Sequence, residues 1–415
     1  MKRLLVIADD FTGALDTGVQ FAKEGIPAKV TDDRNSDLAE LFSQAQVVVV
    51  DTESRHLSPE AARREVAQVI QRVSAAKVDI IYKKTDSALR GNVGAELSAL
   101  LERYPDETLA FAPAFPSMNR LTRNGVQYID GVPVSESPFG QDPVDPVRAS
   151  YIPEILRSTA PELPCGRAAE HPQGNHPGVE IYDAADQQDL RRITEALFRN
   201  KTPKLLAGCA GLASCLGPFL EALPQKKPLL PQVKQLVVLC GSVNRITREQ
   251  VEYAQQKGFL RIDLLPCQFL QPDFFRTPAG ERLLDTIAHA CRGKAPVMIC
   301  TMDPKEDGAG LRLAEKLGIS AAGRVQLIRD CLGEAAAFLR KQQPELAFAI
   351  TGGDTLVGVM RALGGKELEP LLEVGTGTVL AKLHRQDGSV ATIVTKSGGF
   401  GEREIFVSLV SQLVL

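Results

Sequence analysis

The chain has 415 residues, of which 44% are hydrophobic and 24% are charged, and its formal net charge is -3. At roughly 150 residues per domain, this length predicts two or three domains and excludes a single small module. The composition excludes a disordered chain, and the near-neutral charge gives no general attraction to nucleic acid.

Short β-branched runs alternate with helical stretches from the first residue, a pattern typical of α/β proteins with parallel sheets. A helix is predicted over 14–24, ending before Gly25, and another starts after Ser58 with Pro59 in its first turn and reaches about residue 75. The strands predicted in the first half of the chain lie at 4–8, 28–31, 47–51, 80–84, 109–111 and 205–207.

The segment 112–147 interrupts this alternation with six prolines. We interpret it as a long functional loop that carries a hairpin over 128–134, because Asp130-Gly131 is a strong turn dipeptide. A second Pro- and Gly-rich stretch, 161–178, is predicted to be exposed.

The Pro-rich stretch 224–231 is the predicted linker between two domains, 1–225 and 232–415. Beyond it the alternation restarts, with strands predicted at 236–240, 297–301 and 347–351 and helices at 247–257 and 355–363. The end of the chain, 375–396, combines Gly-rich turns with short strands around Asp387-Gly388. The predicted fold class is therefore α/β, with two domains that each hold a largely parallel sheet flanked by helices.

The apolar run at residues 4–8 is too short for a secretory signal, and no stretch approaches the roughly 20 apolar residues that cross a bilayer. The eight cysteines are scattered without a Cys-x-x-Cys pair, and the chain has only five histidines. We therefore expect reduced thiols, a cytoplasmic location, no membrane partner and no dedicated protein metal site.

Two acidic residues, Asp9 and Asp10, follow the first predicted strand and precede a helix. Open α/β sheets bind ligands at the carboxyl ends of their strands, where carboxylates can accept hydrogen bonds from sugar hydroxyls. The structural alternative is an aspartate that caps the helix and stabilises it by about 1 kcal/mol. One aspartate suffices as a cap, so the second favours a functional role.

A cationic, hydroxyl-rich loop follows the strand at 80–84 and contains Lys84, Asp86, Arg90, Gly91 and Asn92. This composition favours anion binding, since Arg can bind a carboxylate with two hydrogen bonds and glycines admit a ligand close to the backbone. The alternative is an exposed ion pair between Asp86 and Arg90, which would add well under about 1 kcal/mol.

Three Gly-rich turns follow predicted strands in the second half. They lie at 239–244, which includes Ser242, at 350–355 and at 396–401. Three such turns in one domain favour a nucleotide pocket, with phosphates bound at helix N-termini. The P-loop, the dinucleotide fingerprint and Gly-x-Ser-x-Gly are all absent from the sequence.

Five motifs in order resemble the four-carbon acid sugar kinase family: ADDFTGA (8–14), KKTDSALRGN (83–92), PAFP (113–116), GGDT (352–355) and KSGGFG (396–401). The resemblance implies an N-terminal domain that binds threonate, erythronate or 3-oxo-tetronate and a C-terminal domain that binds ATP. The implied substrate-side residues are Asp10, Asp86, Arg90, Gly91 and Asn92. The implied nucleotide-side residues are Ser242, Gly352, Gly353, Asp354, Thr355, Gly398 and Gly399. The chain departs from the family pattern where Asp354 replaces an expected glutamate and Gly399 an Asn.

The resulting hypothesis is ATP- and Mg²⁺-dependent phosphorylation of a tetronate at its 4-hydroxyl, with D-threonate as the first candidate and D-erythronate or 3-oxo-tetronate as alternatives. Asp10 or Asp86 would orient the hydroxyl and accept its proton, while Arg90, helped by Lys83 or Lys84, would bind the carboxylate. Asp9 is a further predicted substrate-binding residue. A non-catalytic sensor of the same two ligands is the alternative from another class. A dehydrogenase is disfavoured by the missing dinucleotide fingerprint. A homodimer is the default expectation.

Overall fold

The computed structural model describes residues 1–32, 36–142, 144–170, 177–222, 228–241, 244–301 and 308–414. The chain divides into two compact units, Met1–Lys227 and Pro228–Leu415. Each unit contains a largely parallel sheet flanked by helices, so the predicted fold class is confirmed. Residues 224–227 of the predicted linker lie outside the described residues. No described helix has an apolar stretch long enough to span a bilayer.

The elements of the first unit are strands that alternate with helices. The strands are β1 Leu4–Ala8, β2 Ala28–Thr31, β3 Val47–Asp51, β4 Ile80–Lys84, β5 Thr108–Ala112, β6 Arg120–Arg123, β7 Val126–Ile129, β8 Val132–Pro133, β9 Cys165–Arg167, β10 Gly178–Ile181 and β11 Leu205–Gly208. The helices are α1 Phe11–Ala22, α2 Leu38–Gln44, α3 Pro59–Gln71, α4 Val73–Ala76, α5 Val93–Arg103, α6 Ile152–Thr159, α7 Gln187–Phe198 and α8 Ala210–Ala213.

The main sheet of this unit is parallel in the order β2-β3-β1-β4-β11-β5-β10-β9. Its central strands β1, β3 and β4 are fully buried, as expected for a parallel sheet covered by helices on both faces. The core of the unit is an apolar cluster that joins these strands to helices α3 and α5.

Helix α1 begins at Phe11, three residues before the predicted start, because the Asp10 side chain accepts a hydrogen bond from the Gly13 N–H and caps the helix. The predicted cap at Ser58 and first-turn proline at Pro59 are confirmed in α3. Helix α2, capped by Asp37, was not predicted.

The proline-rich segment forms a three-stranded antiparallel sheet in the order β6-β7-β8. The predicted turn at Asp130-Gly131 is confirmed, since both residues have positive φ (50° and 86°) and connect β7 to β8.

The second unit continues the alternation and ends in an antiparallel addition to the sheet. Its strands are β12 Leu236–Cys240, β13 Leu260–Asp263, β14 Val297–Cys300, β15 Ala347–Thr351, β16 Gly365–Gly375, β17 Thr378–Arg385 and β18 Val390–Lys396. Its helices are α9 Arg245–Gln256, α10 Pro266–Phe269, α11 Pro278–Ala290, α12 Ala309–Lys316, α13 Ala321–Gln342, α14 Gly353–Ala362 and α15 Ile405–Leu413.

The strands β13-β14-β12-β15-β18 of this unit are parallel, and β17 and β16 follow β18 in antiparallel pairs. Strands β12, β15 and β18 are neighbours, and Cys240, Thr351 and Lys396 lie in register at their carboxyl ends. The three Gly-rich turns of the sequence therefore start side by side at one edge of this sheet.

Candidate active site

The carboxyl ends of three neighbouring strands of the first unit meet at one edge of its sheet. Ala8 of β1 is in register with Asp51 of β3 on one side and with Lys84 of β4 on the other. The residues that follow these strands therefore start together at the edge where open parallel sheets bind ligands.

Asp9 and Asp10 are both held by Arg55, which lies in the loop after β3. Arg55 Nε donates to Asp9 Oδ2 over 2.8 Å, and Arg55 Nη2 donates to Asp10 Oδ1 over 2.5 Å. Asp9 is buried, with 2% of its surface exposed, and its Oδ1 has no hydrogen-bond partner within the described part of the chain. Asp10 both caps α1 and joins the charged cluster, so the two interpretations of this residue are compatible.

Asp86 and Arg90 form a two-pronged ion pair within the loop after β4. Arg90 Nε donates to Asp86 Oδ2 over 2.9 Å, and Arg90 Nη2 donates to Asp86 Oδ1 over 3.1 Å. Asp86 is buried, so this pair is not the exposed one that the alternative interpretation required. Arg90 Nη1 also donates to Asp142 Oδ2 over 3.2 Å, and the guanidinium groups of Arg90 and Arg120 both lie over the Phe139 ring.

The two lysines at the end of β4 have different partners. Lys83 is fully buried, and its Nζ lies 3.0 Å from Glu96 Oε2. Lys84 Nζ donates to the Thr85 carbonyl over 2.6 Å and lies against the first turn of α1. A Cβ atom at Gly13 would lie 2.6 Å from Lys84 Nζ and 2.5 Å from Asp10 Oδ1. The bare glycine thus leaves room for both charged groups.

Gly91 and Asn92 contact the loop that carries Arg55. Gly91 has φ of +81°, and a Cβ atom there would lie 3.0 Å from the Arg55 carbonyl oxygen. The Asn92 amide donates to the carbonyls of Ser54, Arg55 and Leu57 over 3.1, 3.3 and 2.8 Å. Both residues therefore position the loop after β3.

The cations at this edge control the protonation of the carboxyl groups. Burial raises the pKa of Asp9, but Arg55, Lys84 and Lys83 lower it more, and the result lies below the usual range. Burial also raises the pKa of Asp86, but Arg55 and Arg90 hold it well below the usual range. Asp51 behaves in the opposite way, because burial raises its pKa well above the usual range. The hydrogen bond from the Glu53 N–H lowers the pKa too little to offset burial, and the charge of the nearby Asp10 raises it further.

Sequence reasoning missed Arg55, Glu96, Phe139 and Asp142. Arg55 carried a usable signal, since it lies four residues beyond a predicted buried strand whose end the parallel sheet brings to the same edge. Phe139 and Asp142 lie in the proline-rich segment, and nothing local in the sequence ties them to Arg90.

In the second unit, the turn between β15 and α14 contains Gly352, Gly353, Asp354 and Thr355. Gly352 has φ of +101° and precedes the helix, so the first backbone N–H groups of α14 face the strand end. Asp354 lies in the first turn of the helix, and the buried Thr355 hydroxyl packs against Gly241, where a Cβ atom would lie 2.2 Å from Thr355 Oγ1. Ser242 lies outside the described residues.

The turn after β18 contains Gly398 and Gly399 and is held by Lys396. Lys396 is buried, and its Nζ donates to the carbonyls of Ser397 and Phe400 over 2.8 and 3.1 Å. The Thr247 hydroxyl donates to the Gly398 carbonyl over 2.6 Å. Burial lowers the pKa of Lys396 to about 8. The structure thus brings the turns at 351–355 and 396–401 together and adds Lys396 to them, a residue not assigned to the site from the sequence.

No cluster of three or more His, Cys, Asp or Glu side chains in the described ranges could hold a metal ion. The carboxylate of Asp354 is nonetheless a hard oxygen donor of the kind that Mg²⁺ takes when substrate phosphates and water supply the other ligands. The residues present therefore fit a magnesium ion that arrives with a nucleotide.

Comparison with known proteins adds independent information. Residues 4–216 match the family described as a sugar-binding N-terminal domain, and residues 237–406 match the family described as a nucleotide-binding C-terminal domain. The chain is 30% identical to the D-threonate kinase of Bordetella bronchiseptica, over 97% of this chain and 95% of the relative. It is 28% identical to the D-erythronate kinase of Heliobacterium modesticaldum, over 100% of this chain and 98% of the relative.

The crystal structure of a protein from Salmonella typhimurium LT2 has a fold similar to that of this chain, with a TM-score of 0.81. The superposition covers 98% of each chain at 22% sequence identity, so this likeness concerns the fold alone.

Proposed function

This chain belongs to the four-carbon acid sugar kinase family and is an ATP-dependent carbohydrate kinase, and from that premise we propose that it phosphorylates a tetronate at the 4-hydroxyl, with D-threonate as the first substrate to test. The observation that carries the proposal is the full-length similarity to a D-threonate kinase. The similarity to a D-erythronate kinase over the whole chain makes D-erythronate the second candidate.

We assign the sugar acid to residues 1–225 and ATP to residues 232–415. In the first part, Lys84 is the cation best suited to the substrate carboxylate. Arg55, Lys83 and Arg90 contact carboxylates within the protein, whereas the hydrogen bond described for Lys84 goes to a backbone carbonyl. Arg90 supplies a second contact through Nη1, the atom that binds Asp142.

Asp10 is the better candidate for the group that orients the 4-hydroxyl and accepts its proton. Both contacts that the described residues make with Asp10 involve Oδ1, which leaves Oδ2 for the substrate. Asp86 uses both oxygen atoms on Arg90 and also accepts from the N–H groups of Ala88 and Arg90. Because the pKa of Asp86 lies well below the usual range, its carboxylate is the weaker base.

On the nucleotide side, the backbone N–H groups at the start of α14 suit the phosphates of ATP, since a helix N-terminus attracts anions. Gly352, Gly353, Gly398 and Gly399 allow close approach, and Thr355 adds a hydroxyl. We propose that Asp354 helps to hold Mg²⁺, which when bound neutralises charge on the phosphates.

The role of Ser242, which lies outside the described residues, stays a prediction. The homodimer also stays a prediction. The eight free cysteines support a reducing compartment such as the cytoplasm.

The substrate assignment is tested by measuring ADP release with ATP, Mg²⁺ and each of D-threonate, D-erythronate and 3-oxo-tetronate. Threitol, which lacks the carboxylate, is the control acceptor, and phosphorus NMR of the product identifies the phosphorylated oxygen. We expect the highest kcat/KM with D-threonate and a product that carries phosphate on O4. Binding of a tetronate without phosphorylated product, or release of ADP that no tetronate increases, would contradict the proposal.

The assignment of the base is tested with Asp10→Asn and Asp86→Asn. Loss of a general base costs roughly 10²–10⁴ in rate, so Asp10→Asn should lower kcat by this factor while the Kd of a non-hydrolysable ATP analogue stays unchanged. Asp86→Asn should raise KM for the sugar acid, because Arg90 loses the carboxylate that it binds. Near-normal kcat in Asp10→Asn would remove Asp10 from this role.

A further inference from the structure

Arg55 lies at the centre of the charged cluster in the first unit. Its guanidinium contacts Asp9 and Asp10 directly, and Nη2 also lies 3.7 Å from Asp86 Oδ1. The Arg55 side chain is 10% exposed, so these ion pairs are largely removed from water. One cation therefore connects the two aspartates after β1 with the aspartate after β4.

The backbone around Arg55 is held in place from two sides. The Arg55 N–H donates to the Asp9 carbonyl over 3.3 Å, which ties the loop to the end of β1. On the other side, Asn92 donates to three carbonyls of the loop, and Gly91 lies so close to Arg55 that a Cβ atom would be 3.0 Å from both its Cγ and its carbonyl oxygen. These contacts hold the backbone from which the Arg55 side chain reaches the aspartates.

The contact with Asp10 fixes the orientation of that carboxylate. Asp10 Oδ1 accepts from Arg55 Nη2 and from the Gly13 N–H, and two donors on one oxygen define where the other oxygen lies. Arg55 also compensates the buried negative charge, since it is the cation that most lowers the pKa of Asp9 and of Asp86. Without it, three neighbouring carboxylates would repel one another at a partly dry edge of the sheet.

We propose that Arg55 is a positioning residue for phosphoryl transfer: it aligns the Asp10 carboxylate so that Oδ2 meets the acceptor hydroxyl, and it compensates the negative charge of the buried Asp9 and Asp86. This role rests on the proposed function, in which Asp10 accepts the proton of the sugar-acid hydroxyl.

The test compares Arg55→Gln and Arg55→Lys with Arg63→Gln, a matched loss of an arginine. Arg63 lies in α3, and its exposed ion pair joins it to Glu102 of α5. For each variant, kcat and KM are measured with the tetronate that the wild-type enzyme phosphorylates, from as low a pH as the enzyme stays folded up to pH 9. The affinity for a non-hydrolysable ATP analogue is measured by calorimetry. Circular dichroism and urea unfolding report whether each variant is folded.

We expect Arg55→Gln to lower kcat about 100-fold, because loss of alignment by about 1 Å can cost that much, with no change in nucleotide affinity. The acid limb of the kcat/KM profile should move to higher pH, since Arg55 lowers the pKa of the buried Asp9 and Asp86 beside the proposed base and its removal raises them. Arg55→Lys should keep the limb near its original pH and recover about tenfold of the rate. Arg63→Gln should match the wild-type enzyme.

A purely structural role for Arg55 would lower the rate equally at every pH and leave the acid limb in place, and this result would overturn the proposal. Wild-type activity in Arg55→Gln would overturn it as well. If Arg55→Gln does not fold, Arg55→Lys decides alone. A folded Arg55→Lys variant with kcat about tenfold below the wild-type value, an acid limb near its original pH and unchanged nucleotide affinity supports the proposal, and wild-type kcat in this variant overturns it. A wild-type enzyme that phosphorylates no tetronate overturns the proposed function and this role together, whereas an active enzyme with an unmoved profile in Arg55→Gln overturns only the role of Arg55.

Discussion

Substitution of Gly13 by alanine tests whether the geometry around Lys84 and Asp10 matters for activity. Gly13 lies in the first turn of α1 without positive φ, so alanine fits the backbone. Its Cβ atom would, however, lie 2.5 Å from Asp10 Oδ1 and 2.6 Å from Lys84 Nζ. Both atoms are ends of side chains, so the fold can accommodate the methyl group when these two groups move.

The expected magnitudes follow from these distances. Ordinary contacts of a carbon atom lie near 3.5 Å, so each charged group must retreat by roughly 1 Å. In a helix, alanine is more favourable than glycine by about 1 kcal/mol, and weakening of the Asp10 cap costs about the same. The free energy of unfolding should therefore stay nearly unchanged, whereas a displacement of this size in a catalytic group lowers the rate about 100-fold, or about 2.7 kcal/mol of transition-state stabilisation.

The assay is kcat/KM from coupled ADP release, with stability measured in parallel by urea unfolding. Gly310→Ala is the matched control, because Gly310 lies in the first turn of α12 and the nearest atoms to its Cβ are at an ordinary 3.7 Å. We expect Gly310→Ala to be fully active and slightly more stable. A Gly13→Ala enzyme within about threefold of wild-type kcat/KM would refute the assignment of Lys84 and Asp10 to the reaction.

Two further predictions follow from the same structure. Gly91→Ala and Gly131→Ala both place a side chain at positive φ (81° and 86°), so each variant should lose about 1–2 kcal/mol of unfolding free energy in urea. Only Gly91→Ala should lower kcat, because its methyl group displaces Arg55, whereas the methyl group at position 131 meets no atom within 4 Å. Equal activity of the two variants would contradict the proposed importance of the Arg55 loop. Burial lowers the pKa of Lys396 from 10.5 to about 8. Between pH 8 and pH 10.5 the Lys396 amine is therefore protonated in the unfolded chain and neutral in the folded one, so the free energy of unfolding should rise over this range by up to about 3 kcal/mol. Lys396→Met should remove this rise in unfolding measurements without nucleotide, and an identical slope in the two proteins would show that Lys396 is not the cause.

Strand positions in the centre of each sheet were predictable from the sequence alone. Six of the strands, among them β1 and β12, have the bounds that the sequence predicted. A strand buried on both faces is apolar along most of its length, and such an apolar run can be recognised in the sequence. Helix starts were less accurate, as at Phe11, because an aspartate before a helix can be a cap or a ligand, and here Asp10 is a cap that also binds Arg55.

The chemical character of the candidate site was also local. Lys84 ends a predicted strand, and Asp9, Asp10, Asp86 and Arg90 follow predicted strands. Their arrival at one edge of a parallel sheet therefore follows from the α/β pattern. The sequence likewise predicted the Gly-rich turns after β15 and β18, although the adjacency of these two strands depends on the order of strands in the sheet.

Only the tertiary structure decided which of these residues contact one another. It assigned Gly91 and Asn92 to the loop of Arg55, paired Lys83 with Glu96, and brought Asp142 to Arg90 from more than 50 residues away. The sequence gives the type of each residue and its distance from a strand end, because the position of a strand depends on the propensity and burial of a few neighbouring residues. The partner of a charged side chain depends on strand order, register and the reach of long side chains across loops, and these are set only when distant segments pack together.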